Sequence, residues 1–389
     1  MRILIAADTY YPHVNGASYF AQRLAYYLQK HGNTVAVIAP SETYSDTKEN
    51  VNSVLVYGVK SFPIFVHPSF RFSAPVFKKF TEKVFDEFKP DIVHLQSHFF
   101  IDRIVLKVAK KRGISVVATN HFMPENIVHY VPLPKAALKI ITKLAWRDFV
   151  GVFKQVRQIT TPTETAANLI REGLKKPVKA ISCGIDFEKF NTKTKGEHLK
   201  KRYHIPKGPV LLWVGRLDKD KNVDMTLHAV ARALKKVNFH FVIAGVGAEQ
   251  ENLEDLAKKL KIQKHVTFAG FVPDKDLPSL YKIANCFAIA GIAELQSIVT
   301  MEAMASGLPI IGVNATALPE LVHDGKNGFL FEIGDVNTYA NSIVKIFSDE
   351  KLRERMSKAS LDIIKKHDIN KTIAEFESIY KEELKNKKK

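Results

Sequence analysis

The amino-acid sequence predicts an α/β protein made of two doubly wound units, each a parallel sheet covered on both faces by helices. Three observations carry that reading. Short apolar, β-branched runs alternate with stretches of helical pattern along the whole chain. Runs of that length separated by helices build parallel strands, because a parallel pair needs a long crossover between its members. The pattern also restarts once, after a polar, charged segment at 187–209 that closes Pro206-Lys207-Gly208-Pro209.

In the first unit the strand runs are RILIAAD, TVAVIAP, SVLVYGV, DIVHLQS, SVVATNH and QITTPT; in the second they are VLLWVG, FHFVIAG, VTFAGF, CFAIAG, PIIGV and GFLF. The first run ends at Asp8, and a loop then leads into an amphipathic helix with Gly16 at the junction. The restart places a linker near residues 190–207. It divides the chain into a first domain of 1–195 and a second of 196–369, with a C-terminal helix, about 370–389, packing back on the first. Two such Rossmann-like units facing each other leave a cleft at the carboxyl ends of their strands, where ligands bind.

Composition bounds the function. The 389 residues suit two domains, and 46% hydrophobic content is ample for two buried cores. The opening MRILIAADTYYP is apolar for only about seven residues before Asp8 and lacks a basic leader, so it reads as a strand and not as a signal peptide. No uncharged stretch approaches the roughly 18–20 residues that span a bilayer. Cys183 and Cys286 form neither metal-like nor redox-like spacing, which suits a reducing cytoplasm with neither zinc nor a disulfide. Of the net charge of +18, thirteen units fall in residues 1–200, which points to an anionic surface near the first half; a lysine-rich composition bias is the other account. No aromatic-and-basic RNA motif or groove-reading helix accompanies the charge, so nucleic acid is not the expected partner.

The stretch GIAELQSIVTMEAMASGLPIIGV, residues 291–313, concentrates chemistry. Ser297 is a helix N-cap, and Gly307 with Pro309 ends the helix before a buried strand. Glu294 then precedes the helix and Glu302 lies in its second turn. A helix start attracts an anion such as phosphate, whereas carboxylates accept hydroxyl hydrogen bonds. A nucleotide sugar has both features; an ordinary helix with exposed glutamates is the alternative. In VGRLDKDKNVD, Arg216 and Lys221 follow a strand at its carboxyl end and form a phosphate clamp, or else are solvated charges. Asp218, Asp220, Asp274 and Asp276 spell two D-x-D pairs, read here as surface and helix-start acids. Gly245 and Gly247 begin a dinucleotide fingerprint, but Gln250 replaces its third glycine, which argues against NAD. His121 ends a strand in the first domain, where it either binds a hydroxyl beside the reacting bond or is structural; His94 and His98 read as structural or wall residues.

The order P-x-x-N-G, NH, VGRLDKDK, AGFVPDKDLPSLY and E-x7-E-A-M-A-S-G-x-P resembles the retaining glycosyltransferases of family 4, which have the two-domain GT-B fold. The resemblance spans nearly the whole chain. It implies that Arg216 and Lys221 hold the donor diphosphate, Glu302 the ribose hydroxyls and Glu294 the hydroxyls of the transferred sugar. Gln296, Ser297 and Ile298 surround the donor at the helix start, Gly16 lines the donor site and His121 stands on the acceptor side. It also implies no cofactor beyond a nucleoside-diphosphate sugar such as UDP-glucose or GDP-mannose as co-substrate, no metal and no covalent intermediate. The chain departs from the pattern at Ser297, where many members carry glycine, and the departure bears on which sugar fits. NHFMPENIVHY and the Glu-x-Gln start of the glutamate segment look most like enzymes that glycosylate membrane lipids, including diacylglycerol glucosyltransferases and phosphatidylinositol mannosyltransferases; a soluble glycan or small molecule is the alternative acceptor.

Residues 135–157 add a membrane reading. Lys135, Lys139, Lys143 and Arg147 recur every four residues and form a basic stripe beside Leu138, Ile141, Leu144, Ala145 and Trp146. Such a helix lies on an anionic bilayer with its apolar and aromatic residues in the interface, or packs those residues on its own sheet. VKSFPIFVHPSFRF, 59–72, offers a second contact. The expectation is a protein docked peripherally on the cytoplasmic face of the cell membrane.

Overall fold

The structure, a computed structural model, describes residues 1–13, 15–63, 71–73, 77–122 and 134–387, the side chain of Lys135 excepted. Residues 64–70 of the aromatic segment and 123–130 of NHFMPENIVHY lie outside the described residues. The chain folds as two compact units, Met1–Cys183 with Ile369–Lys389, and Gly184–Asp368.

The first unit runs β1 (Arg2–Ala6), α1 (Gly16–Lys30), β2 (Thr34–Pro40), β3 (Thr47–Val51), β4 (Val54–Val59), the short pair β5 (Phe62–Pro63) and β6 (Arg71–Phe72), α2 (Lys78–Phe88), β7 (Ile92–Leu95), α3 (Phe100–Lys111), β8 (Ser115–Thr119), α4 (Lys135–Phe153), β9 (Gln158–Thr161), α5 (Glu164–Leu174) and β10 (Lys179–Ala180). Its sheet has the order β10-β9-β8-β7-β1-β2-β4-β3. Every pair is parallel except the β3–β4 hairpin. That hairpin turns on Asn52 and Ser53, both at positive φ, which matches the twist of the strands it joins. Sequence reading misses β3, because TKENV is a polar edge strand with no buried face.

The second unit contains α6 (Glu197–Arg202), β11 (Val210–Val214), α7 (Val223–Ala233), β12 (His240–Ala244), α8 (Gln250–Lys259), β13 (Val266–Gly270), α9 (Leu277–Ile283), β14 (Cys286–Ile289), α10 (Ile298–Ala305), β15 (Ile310–Val313), β16 (Gly328–Phe331), α11 (Val336–Ser348) and α12 (Glu350–Ile364). Its strands are all parallel, in the order β13-β12-β11-β14-β15-β16. The last helix, α13 (Ile369–Lys387), belongs to the first unit. There His94 joins Tyr380 of α13 at 2.6 Å on one ring nitrogen and Thr119 of β8 at 2.6 Å on the other.

The expected linker at 190–207 is corrected by packing. Phe190 is buried edge-on against Tyr281, with ring centroids 5.9 Å apart, and Leu199 and Ile205 are buried as well. The Ile185 amide donates to His367 O at 2.7 Å, so the chain has already joined the second unit there. Apolar anchors spaced through a charged stretch make it an outer layer of that unit, and the division falls at 183/184 where sequence reading puts it at 195/196.

Candidate active site

Each sheet has one topological switch point, where successive connections leave in opposite directions and open a crevice at the strands' carboxyl ends. In the second unit it lies between β11 and β14. The loops leaving these two strands carry the charged motif and the glutamate motif respectively. They are stitched together: Asn222, in the left-handed conformation at φ 49°, donates through its side chain to Ala290 O at 3.0 Å, and the Ile292 amide donates to Asp220 O at 3.3 Å.

Across that seam Lys221 Nζ stands 2.8 Å from Glu294 Oε1 and 3.1 Å from Asp220 Oδ2. Burial works against the charge on Lys221, but Glu294 and then Asp220 outweigh it and drive the ammonium above its ordinary range. Gly291 leaves room for the pair, since a Cβ there would stand 3.1 Å from Glu294 Oε1 and 3.4 Å from Lys221 Cδ. Arg216 Nη1 pairs with Asp218 Oδ2 at 3.0 Å. Both cations of the expected clamp therefore already hold carboxylates. Asp220 is 5% exposed, which corrects its reading as a surface acid; a carboxylate beside a lysine at that depth is a partner. Of the other D-x-D pair, Asp276 precedes α9 without a side-chain capping bond and pairs with Arg202 at 2.7 Å, and Asp274 pairs with Lys189.

The head of α10 completes the crevice. Ser297 is its N-cap, and its buried hydroxyl accepts from the Thr300 amide at 3.4 Å and from the Thr300 hydroxyl at 2.8 Å. The side chain expected to crowd a donor is turned into the helix. Gln296 is buried and Ile298, the first helical residue, is half-buried. Glu302, one turn further, is 3% exposed and accepts from Tyr281 Oη at 3.0 Å. A buried tyrosine hydroxyl thus orients this carboxylate, a partnership that the AGFVPDKDLPSLY motif contains without announcing it. Gly245 and Gly247 have a structural explanation. A Cβ on Gly245 would lie 1.7 Å from Gly215 O and one on Gly247 2.4 Å from Leu217 O, so both glycines let the β12 exit pass against the β11 exit.

Residues 14–189 match the family profile "Glycosyltransferase Family 4", and residues 195–362 match "Glycosyl transferases group 1". The chain is a family 4 glycosyltransferase. It is 29% identical over 341 residues to alpha-monoglucosyldiacylglycerol synthase of Streptococcus pneumoniae, covering 85% of this chain and 75% of that protein. It is also 29% identical over 340 residues to the enzyme of the same name from Acholeplasma laidlawii, covering 85% of each. HepE of Anabaena, solved in complex with UDP-glucose, superposes with a TM-score of 0.78 at 16% identity over 98% of this chain and 99% of that one, which establishes the GT-B fold.

In this glycosyltransferase the first unit's switch point lies between β1 and β7. Gly16 opens α1 behind the Asn15 cap and is exposed, and a Cβ there would meet nothing within 4 Å. Packing within its own unit therefore does not require the glycine. His121 follows β8, half-buried, with Nε2 3.0 Å from Gln96 Oε1 and its ring on Phe20. Burial lowers its pKa to about 3, so the imidazole is neutral. His94 is fully buried between its two partners, and His98 is buried among Phe99, Phe122, Phe149 and Phe153.

Beside them lies an acid pair that sequence reading passes over. Ser97 Oγ is 2.7 Å from Asp8 Oδ2 and also contacts Asp102 Oδ2. A hydroxyl has one proton, so two ionised carboxylates cannot both be satisfied by it. Burial, reinforced by the Asp8 charge, raises Asp102 well above the carboxylate range.

On α4 the surface differs from the expected one. Lys139, Lys143 and Arg147 are exposed, and among the described residues no carboxylate pairs with them. The apolar residues beside them are Ile140, 62% exposed, and Leu144, 56% exposed. Leu138, Ile141 and Ala145 are half-buried. Trp146 is corrected from the outer face to the inner one: it packs on Phe149, and a Cβ on Gly173 of α5 would lie 2.6 Å from its ring. Among the described residues no helix is long and apolar enough to cross a membrane, and no group of three or more His, Cys, Asp or Glu is disposed to hold a metal ion.

Proposed function

We propose that this glycosyltransferase moves one sugar, with retention of configuration, from a nucleoside-diphosphate sugar to a hydroxyl of a membrane lipid, working peripherally at the cytoplasmic face of the membrane. The observation that carries the reading is the seam at the second unit's switch point, where Lys221, Glu294 and the head of α10 converge. In this reading the donor diphosphate takes Arg216 and Lys221 from their carboxylates and accepts from the amides at the start of α10. Glu302, oriented by Tyr281, holds the ribose. Glu294, released from Lys221, holds the hydroxyls of the sugar. The leaving diphosphate is neutralised by these cations and amides without a metal; the acceptor hydroxyl attacks from the face it leaves and passes its proton to the departing phosphate oxygen as the sugar–oxygen bond breaks.

The second unit is the donor domain and the first the acceptor domain, with Gly16 and His121 at its crevice. UDP-glucose is the first donor to test, because HepE holds it on the same fold. A lipid acceptor is supported by the two diacylglycerol-directed relatives and by the exposed apolar and basic face of α4. The test is a thermal-shift screen of nucleotide sugars. One donor should stabilise the protein selectively, and Glu302→Gln should abolish that shift by weakening binding. A panel that leaves the unfolding temperature unmoved overturns the donor assignment.

A further inference from the structure

At the carboxyl ends of β7 and β8 the first unit holds buried polar atoms that have no partner among the described residues. Gln96 follows β7 and Asn120 follows β8, and both are buried. Gln96 engages His121 through Oε1, which leaves its amide nitrogen without a partner among the described residues. Asn120 accepts from the Phe122 amide at 3.2 Å through Oδ1, and its amide nitrogen is likewise unpaired. Turning the Gln96 amide over changes which atom is unpaired, not that one is. Buried amide groups left this way cost free energy until something fills them.

The surroundings define what fills them. The first three residues after β1, β7 and β8 are Ala7-Asp8-Thr9, Gln96-Ser97-His98 and Asn120-His121-Phe122, which contain no lysine or arginine. Arg103, nearby in sequence, is committed to His98 O at 2.7 Å and to Asp148. A carboxylate pair, Asp8 with Asp102, stands one hydroxyl away at Ser97. Two neutral amide groups beside a neutral imidazole and an acid pair that holds one negative charge suit oxygens and hydroxyls without charge and disfavour a phosphate. With Gln96 Oε1 turned to His121, Nε2 holds the ring proton and Nδ1 is left as a lone-pair acceptor for a hydroxyl proton.

We infer that Gln96 and Asn120 form the acceptor subsite and that the acceptor carries no phosphate near its reacting end, a hydroxyl flanked by ester oxygens, as in a diacylglycerol and unlike a phosphorylated lipid. This rests on the glycosyltransferase reading above and narrows its acceptor. The test uses the full-length enzyme with UDP-glucose or whichever donor the thermal-shift screen selects. Dioleoylglycerol, phosphatidylinositol and phosphatidylglycerol are presented in neutral detergent micelles. Transfer to dioleoylglycerol should exceed transfer to either phosphorylated lipid by about tenfold or more. Gln96→Glu keeps an acceptor for His121 and removes the amide nitrogen, and Asn120→Asp does the same for Phe122. Each should raise the acceptor KM at least about tenfold, leaving donor KM and slow donor hydrolysis unchanged. Equal use of a phosphorylated lipid overturns the inference, as does an unchanged acceptor KM in both variants. Parallel loss of donor hydrolysis also overturns it, since that marks damage beyond an acceptor subsite. In each of these cases a selective donor shift in the wild type leaves the donor reading standing.

Discussion

Lys221 Nζ lies 2.8 Å from Glu294 Oε1, so the cation expected to grip a diphosphate is closed onto the carboxylate expected to grip a sugar. Asp220, buried and 3.1 Å away on the other side, completes a half-buried group of one positive and two negative charges. In the proposed reading an arriving diphosphate competes for the ammonium and so frees Glu294 for hydroxyls.

Removing the cation and removing the glutamate should therefore differ. Lys221→Ala leaves two carboxylates without their cation and should cost about 3 kcal/mol of stability. Glu294→Gln keeps the Lys221–Asp220 pair and should change stability by less than about 1 kcal/mol, yet lower kcat by about 100-fold or more. Urea unfolding and steady-state kinetics separate the two. A Glu294→Gln protein as active as wild type removes Glu294 from the site.

Tyr281 has a role visible only in its contact with Glu302. Tyr281→Phe deletes the hydroxyl that donates to this buried carboxylate and should cost about 1–3 kcal/mol. With Glu302 less constrained, donor KM should rise while kcat changes little. An unchanged donor KM, with the stability loss present, would assign the contact to folding alone.

The acid pair of the first unit sets a pH dependence whose sign follows from proton counting. Asp102 is raised well above its ordinary 3.8, so above that pH the folded protein keeps a proton that the unfolded chain has released. The unfolded state then binds fewer protons, and stability falls as pH rises toward the folded pKa. Asp102→Asn cannot ionise and should flatten this slope above about pH 4. Urea midpoints across the range test it; parallel curves for variant and wild type would place the proton elsewhere.

Membrane docking should depend on Ile140 and Leu144 together with the basic residues beside them. Binding to anionic vesicles, weakened by salt, should be lost when both apolar residues become serine, and also when Lys139, Lys143 and Arg147 become glutamate. Trp146 and Trp213, the chain's two tryptophans, are half-buried and buried respectively, so tryptophan emission should hardly move on binding. A strong blue shift would put Trp146 in the interface, as sequence reading expects.

Transfer should persist in excess EDTA. In the proposed reading Arg216, Lys221 and the start of α10 supply the positive charge that a magnesium ion would otherwise bring to the leaving diphosphate. Activity abolished by EDTA and restored by Mg²⁺ or Mn²⁺ would give one of the D-x-D pairs a metal.

Much of the fold was legible in sequence because its signals are local. The apolar runs became β1, β2, β4, β7, β8, β9 and β11–β16, and Ser297 and Gly307 bound α10 as their chemistry requires. The polar edge β3 and the two-residue β10 were not legible, since neither has a buried apolar pattern. The candidate site was legible as residues but not as partners. That Lys221 meets Glu294 across 73 residues depends on β11 and β14 lying side by side, and sequence spacing does not encode strand order. The same holds for Gln96 beside His121, for Ser97 between Asp8 and Asp102, and for Trp146 turned onto Gly173. The sequence by itself determined which residues could form strands, caps and charged loops, because propensity and periodicity act within a few residues. Tertiary structure alone decided which charges are spent on one another and which donors are left unpaired, because burial and pairing depend on what the fold brings from elsewhere in the chain.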